Sequence, residues 1–293
     1  MNSDYYNINI HLSEEQKLIQ NSTRDWVDKF VKPIIEDHFQ KEETPPGLIK
    51  ELAEIGAFGL IVPEQYGGIN ADYISFGLMM QELERGDSSI RVVSSIQTSL
   101  VIYAIYKFGS EKQRLKYLPK LAAGELLGSF GLSEPSFGSN PSAMHTYFRE
   151  EGDKIVINGS KMWIGNATAA DIAIVWAKNP SGKVQGLIVE TENITNFTTT
   201  VIKEKWSFRA SKTGELVFSD SIISKDQILA ESTSIKDAYQ CLNIGRYAVA
   251  WGSVGIALEC YETALSYSLE RLQFGQPIAS KQLIQKKLTD MIT

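Results

Sequence analysis

The order in which hydrophobic periodicity changes along this chain restricts its fold more than any other feature. Apolar residues recur at helical spacing through residue 126, switch to short β-branched runs over 127–233, and return to helical spacing over 234–293. A doubly wound nucleotide-binding sheet needs alternating strands and helices, and the chain has no such alternation. The GxGxxG and GxxxxGK[ST] loops and the GxSxG turn are missing too. Any nucleotide-like cofactor must be held in another way. The pattern predicts an α+β chain with an N-terminal helical domain (1–126), a middle antiparallel β-barrel (127–233) and the opening of a C-terminal helical bundle (234–293).

Ser13 and Gln16 form a capping-box pattern ahead of Leu18, Ile19, Trp26, Val27, Phe30, Val31, Ile34 and Ile35, which predicts one long amphipathic helix. After Pro45-Pro46, helices are expected over Leu48 to Ala57, Ile74 to Arg85, Arg91 to Phe108 and Glu111 to Ala123. Strands are expected around Lys154 to Ile157, Ile172 to Ala177, Leu187 to Val189, Thr199 to Ile202 and Leu216 to Phe218, with turns at Asn158-Gly159, Asn179-Pro180 and Ser219-Asp220. Val249 to Leu269 reads as part of a long helix. Pro277 interrupts before a last helical run at 282–293 that has no C-cap, so the bundle is expected to be incomplete.

Of 293 residues, 43% are hydrophobic, enough for a sizeable core. With Lys+Arg 29 against Asp+Glu 35, the net charge of −6 provides no basic field, which speaks against nucleic acid as a partner. Cys241 and Cys260 form no CxxC motif and His11, His38 and His145 are scattered, so no metal site is expected. The polar start, Met1 to His11, lacks the pattern of a secretory signal, and no apolar run reads as a membrane span. The expected location is cytoplasmic.

Two segments at the entrance of the β region carry chemistry. They are Phe130-Gly131-Leu132-Ser133-Glu134-Pro135-Ser136-Phe137-Gly138-Ser139-Asn140 and Asn158-Gly159-Ser160-Lys161-Met162-Trp163-Ile164-Gly165-Asn166. Glycines allow close backbone approach, and a Trp among amide donors suits a flat, polar heterocycle. Ordinary β-loop turn chemistry accounts for the same residues without a ligand.

Together with Arg271-Leu272-Gln273-Phe274-Gly275, these segments resemble the acyl-CoA dehydrogenase family, whose three motifs occur in this order. The resemblance covers essentially the whole chain and implies FAD as cofactor, an acyl-CoA substrate and an electron-transfer flavoprotein as electron acceptor. It implies flavin contacts from Phe130, Leu132, Ser133, Trp163, Ile164 and Gly165, with Ser133 at the pyrimidine ring and Trp163 beside the isoalloxazine. Ser139 matches a position near the CoA phosphates, and Arg246 matches one lining the site. Arg271, Gln273 and Phe274 match a motif that reaches the FAD of a neighbouring subunit, which implies a homo-oligomer, a tetramer in this family. Arg271 as a solvated helix-end charge and Arg246 as a surface arginine are the alternatives. One departure is Gly165, where relatives carry a Thr or Ser hydroxyl toward flavin N5.

The run Gln81-Glu82-Leu83-Glu84-Arg85-Gly86-Asp87-Ser88-Ser89-Ile90-Arg91, with Ser95, is similar to the glutaryl-CoA dehydrogenase branch, as are 206–211, 242–252 and 282–288. There the position of Arg91 binds the distal carboxylate of the substrate, and that of Glu84 orients the guanidinium. Glu84 and Arg91 are seven apart, which on a continuous helix shares a face; an exposed Asp87–Arg91 pair is the competing expectation. Val92 departs from the Ser usual in this branch.

The implied reaction removes an α-proton to a carboxylate and a β-hydride to the flavin, with CO₂ then lost from the glutaryl product to give crotonyl-CoA. The base is expected beyond residue 293, and the alternative position in some relatives is Gly245 here, so no catalytic base is assigned. The 293-residue chain is therefore expected to be inactive alone. Competing expectations are a short-chain acyl-CoA dehydrogenase of other specificity, a flavin monooxygenase of the same fold, and a non-catalytic flavin or acyl-CoA binder.

Overall fold

A computed structural model describes residues 4–293; Met1, Asn2 and Ser3, the start of the polar segment noted above, lie outside the described residues. The expected capping box forms, with Ser13 Oγ accepting from Gln16 N at 3.2 Å and Gln16 Oε1 accepting from Ser13 N at 2.9 Å. It opens α1 (Glu14–Trp26), and the long helix expected from periodicity runs on without a break to Lys41, with one irregularity. A π-helical turn over Val27–Val31 leads into α2 (Lys32–Lys41). Pro33 lies in the first turn of α2 and has no N–H to give to the preceding turn, so the wider turn takes up the mismatch.

The helical part continues with α3 (Leu48–Glu54), α4 (Tyr73–Gly86), α5 (Ser88–Ser95), α6 (Tyr103–Phe108) and α7 (Glu111–Ala122). A second π-helical turn, Ile96–Ile102, joins α5 to α6. The continuous helical stretch Ser88–Phe108 corrects one expectation: its 21 residues and mean hydropathy of 1.2 meet the length and composition of a membrane span. Its most apolar window is 78% buried inside the protein, as the central helix of a core.

The middle part is a seven-stranded sheet made of β1 (Gly128–Gly131), β2 (Tyr147–Glu151), β3 (Lys154–Gly165), β4 (Ile172–Lys178), β5 (Val184–Glu190), β6 (Phe197–Val201) and β7 (Thr213–Ser224). The order is β1-β4-β2-β3-β7-β6, with β5 also on β4. Pairing is chiefly antiparallel, but β1 runs parallel to β4, with Phe130 opposite Ile174. Both faces of β4 are buried. Ile172, Ile174 and Trp176 join the core shared with the helices, while Ala173, Val175 and Ala177 face a second core with Phe148, Ile157 and Leu216. This is why β4 reads as an unbroken apolar run.

Two expected turns lie inside strands. Asn158-Gly159 belongs to β3, and Gly159 (φ 136°) sits where a Cβ would collide with Thr146. Ser219-Asp220 belongs to β7, where Asp220 is the extra residue of a bulge opposite Ile157 and Asn158. Turn-forming residues serve here as strand irregularities, a distinction that local composition does not carry.

The last part is α8 (Ile235–Glu270), a hairpin of β8 (Leu272–Gln273) and β9 (Gln276–Pro277), and α9 (Gln282–Ile292). Helix α8 lies along α4 at close range because glycines line the contact. Gly77 carries the Trp251 ring, Gly255 abuts the Gln81 backbone, and Gly252 faces Glu84 and Arg91. At one end of this contact Arg85 pairs with Glu82 (3.1 Å), Glu259 (2.9 Å) and Glu262 (3.1 Å), tying the two helices together.

Candidate active site

A cleft of about 490 Å³ opens between the loop after β1, the end of β3 and the first half of α8. The structure brings Phe130, Leu132, Ser133, Ser139, Trp163 and Ile164 together on its walls, and Arg246 joins them from α8. The volume lies within the usual range of small-molecule sites, roughly 300–1,000 Å³. No carboxylate lines it among the described residues.

The cleft depends on a β-bulge. In the β3–β7 ladder Met162 faces Glu215 and Ile164 faces Gly214, which leaves Trp163 as the extra residue, with φ 64°. A bulge redirects a side chain out of the strand alternation. Trp163 is thus 60% exposed, between half-buried Met162 and buried Ile164. Met162 N donates to Ser133 O at 2.9 Å and fixes the loop after β1 beside the bulge.

Beneath this wall lies a pair that sequence reasoning missed. Lys161 on β3 is fully buried, and its ammonium donates to Glu134 Oε1 at 2.9 Å and to the Leu132 carbonyl at 3.2 Å. The Glu134 carboxylate also accepts from His145 N (2.6 Å), Thr146 N (2.9 Å) and Thr146 Oγ1 (2.5 Å). Burial alone would raise Glu134, but the Lys161 charge and these hydrogen bonds overcome it and hold the acid at about 2. Burial draws Lys161 down to about 8 against the pull of Glu134. The available signal was a lysine at a buried position of an alternating strand, which requires an acidic partner.

A second cluster surrounds Arg91. Arg91 is 4% exposed, and its Nε pairs with Glu84 while Nη1 donates to Ser95 Oγ at 3.2 Å. Ser88 Oγ donates to the other oxygen of Glu84 at 2.5 Å. Glu84 and Arg91 therefore meet, but across a break between α4 and α5 rather than along one helix. Asp87 (φ −170°, ψ 142°) ends the first helix and caps the second by accepting from Ser89 N at 2.6 Å. That cap engages Asp87, and the exposed Asp87–Arg91 pair does not form. Phe208, within the 206–211 segment noted above but given no role there, places its ring 5.9 Å from the Arg91 guanidinium. Arg91 Nη2 has no acceptor among the described residues. Val92 packs on the main hydrophobic core.

The cluster and the cleft are joined through α5. Ile96, next to Ser95, fills the space where a Cβ on Gly165 would lie. Further along the same helical stretch, Leu100 and Ser99 stand opposite Gly245. The structure does not bring Arg271, Gln273 and Phe274 to the cleft; they sit at the exposed hairpin after α8, with Phe274 95% exposed. Among the described residues neither the cleft walls nor Gly245 supplies a base, and Glu84 is engaged by Arg91 and Ser88.

The cleft residues suit a flat heterocycle with a polar edge. Trp163 presents an exposed aromatic surface, and among the described residues no atom lies within 4 Å of a Cβ position on Gly138 and none bonds to the N–H or the hydroxyl of Ser133. Ser133 thus keeps donors available for a ligand.

Helical domain, curled sheet and further helices around such a cleft make up the acyl-CoA dehydrogenase architecture. Family models for the N-terminal, middle and C-terminal domains of acyl-CoA dehydrogenase match residues 13–125, 129–221 and 235–293, and the chain belongs to this family. An acyl-CoA dehydrogenase of Bacillus subtilis is 36% identical over 97% of this chain and 76% of its own length. A Mycobacterium smegmatis glutaryl-CoA dehydrogenase solved with FADH2 superposes with a TM-score of 0.95 at 37% identity, covering 98% of this chain and 74% of that one. Butyryl-CoA dehydrogenase from Megasphaera elsdenii gives 0.91 at 34%, covering 96% and 75%. The expectation of an inactive chain finds no support in these relatives.

Proposed function

We propose that this protein is an FAD-dependent dehydrogenase of acyl-CoA thioesters whose acyl chain ends in a carboxylate, with glutaryl-CoA as the substrate. The observation that carries the reading is the state of Arg91. A buried guanidinium that gives Nε to Glu84 and Nη1 to Ser95 still has Nη2 free for a planar anion. Glu84 balances the charge, but a pocket for an apolar acyl end has no use for a guanidinium edge left without an acceptor. The short-chain, butyryl-type reading has the similarity to the Megasphaera enzyme in its favour and lacks an explanation for Arg91.

In this reading Ser133, Trp163, Phe130, Leu132 and Ile164 hold the flavin ring, Ser139 and Arg246 lie toward the CoA moiety, and Arg91 orients the far end of the substrate. Bound flavin supplies the hydride acceptor. The protein's residues fix the acyl chain at both ends, so that the reacting carbons are presented in one geometry. Gly165 offers a backbone N–H but no hydroxyl at the flavin edge. Arg271, Gln273 and Phe274 would serve the flavin of a second copy, in an oligomer that hands electrons to an electron-transfer flavoprotein. We assign the work to the cytoplasm.

The test compares two thioesters. Arg91→Ala is expected to weaken binding of glutaryl-CoA at least tenfold, about 1.4 kcal/mol or more, and to change butyryl-CoA by less than twofold. Equal losses for both would overturn the carboxylate assignment.

A further inference from the structure

The geometry points to Lys161 as a positioning residue that sets the donor strength of the Ser133 N–H toward the flavin, and so the preference of the site for reduced over oxidised flavin. The inference rests on the flavin reading above. Its basis is that one peptide group carries both contacts. The Lys161 ammonium donates to the carbonyl of Leu132, and the N–H at the other end of that same peptide belongs to Ser133. That N–H has no protein acceptor among the described residues, although Ser133 lines the cleft.

A cation on the carbonyl end of an amide draws electron density toward the oxygen and makes the N–H a better donor, as in any hydrogen-bonded chain of peptides. In a water-poor setting this polarisation is not screened away. Reduction adds negative charge to a flavin, so a stronger, fixed donor at its edge favours the reduced state more than the oxidised one.

The surroundings hold the device in place. Lys161 bonds to both neighbours of Ser133, the Leu132 carbonyl and the Glu134 carboxylate, while Met162 N takes the carbonyl of Ser133 itself. Three successive residues are thereby held from one strand. Glu134 is anchored in turn by the 145–146 backbone, so the ammonium cannot drift from the peptide it polarises. A brace alone would need only apolar packing, which is usually neutral or better for stability than a buried ion pair.

Lys161→Met alone strands the Glu134 charge and can fail to fold, so the deciding variant is the double Lys161→Met/Glu134→Gln, which removes both charges. In labelled full-chain protein without added ligand, the Ser133 amide proton is expected to move upfield in the double variant. With FAD bound, the ratio of affinities for reduced and oxidised flavin is expected to fall about tenfold, a midpoint about 30 mV more negative for a two-electron couple. A folded double variant with an unchanged Ser133 shift and an unchanged midpoint overturns the inference and leaves the pair as a brace. Should the wild-type protein bind no flavin, the flavin reading fails, while the Ser133 shift still decides whether Lys161 polarises that peptide.

Discussion

Ile96 occupies the space in which a side chain on residue 165 would lie, its Cδ1 overlapping the position of a Cβ built on Gly165. The glycine and the isoleucine form one packing unit, which links the helix carrying Arg91 and Ser95 to the edge of the cleft. A hydroxyl introduced at 165 therefore cannot be judged by its hydrogen bond alone. Gly165→Thr by itself is expected to destabilise the protein by about 1–3 kcal/mol through overpacking. Combined with Ile96→Ala, the threonine gains room, and flavin reduction by acyl-CoA is expected to quicken by roughly fivefold, the worth of one hydrogen bond of about 1 kcal/mol. Urea unfolding and anaerobic stopped-flow measure the two effects. A single variant as stable as wild type would show that Ile96 yields freely.

Gly252 probes the carboxylate reader from the opposite side. A Cβ there would lie 3.0 Å from Glu84 Oε2 and 3.2 Å from Arg91 Nε, so Gly252→Ala must displace the pair slightly. Alanine gains up to about 1 kcal/mol of helix propensity, which offsets the crowding in the stability of the fold. The expected result is a loss of glutaryl-CoA affinity of about fivefold with little change for butyryl-CoA and in the unfolding midpoint. Titration calorimetry with both thioesters reads this, and parallel losses would contradict it.

Glu134 predicts a pH dependence of stability. Its folded value, near 2, lies below the ordinary 4.5, so the folded state binds fewer protons than the unfolded one across that window. The stabilisation is complete above pH 4.5 and fades as pH falls toward 2. Glu134→Gln should flatten the fall in unfolding free energy between pH 5 and pH 2.5; curves of equal slope for variant and wild type would refute this.

Arg85 and Glu82 form a buried ion pair, their side chains 3% and 1% exposed, whereas Lys17 and Glu14 form an exposed one. Arg85→Met leaves Glu82 without its counter-charge and is expected to cost about 3–5 kcal/mol. Lys17→Ala is expected to cost less than about 1 kcal/mol. Denaturant midpoints separate the cases, and similar shifts for both would mean that Glu82 finds another partner.

Much of the fold is legible along the chain because it arises from local periodicity. The Ser13–Gln16 cap, helix α7 and the strands around Ile174 and Leu187 follow from spacing and propensity within a few residues of themselves. Periodicity misjudged the places where a local signal has two structural uses. Asn158-Gly159 and Ser219-Asp220 carry turn chemistry and form strand irregularities, because a long antiparallel ladder surrounds them. Pro33 sits just after a π turn inside a continuous helix, a consequence of one missing N–H that an apolar stripe does not register. The apolar helix Ser88–Phe108 owes its burial to neighbours from distant parts of the chain.

The candidate site divides in the same way. Residue type and motif order were enough to nominate Ser133, Trp163 and Arg91, since the chemistry of a donor, an aromatic plane and a forked cation belongs to the side chains themselves. Tertiary packing alone decided what surrounds them: Lys161 under the Ser133 peptide, Phe208 on the Arg91 guanidinium, Ile96 against Gly165 and Gly252 beside Glu84. Each of these joins segments distant in the chain. Burial then determines whether a charge is a solvated surface group or part of a working site.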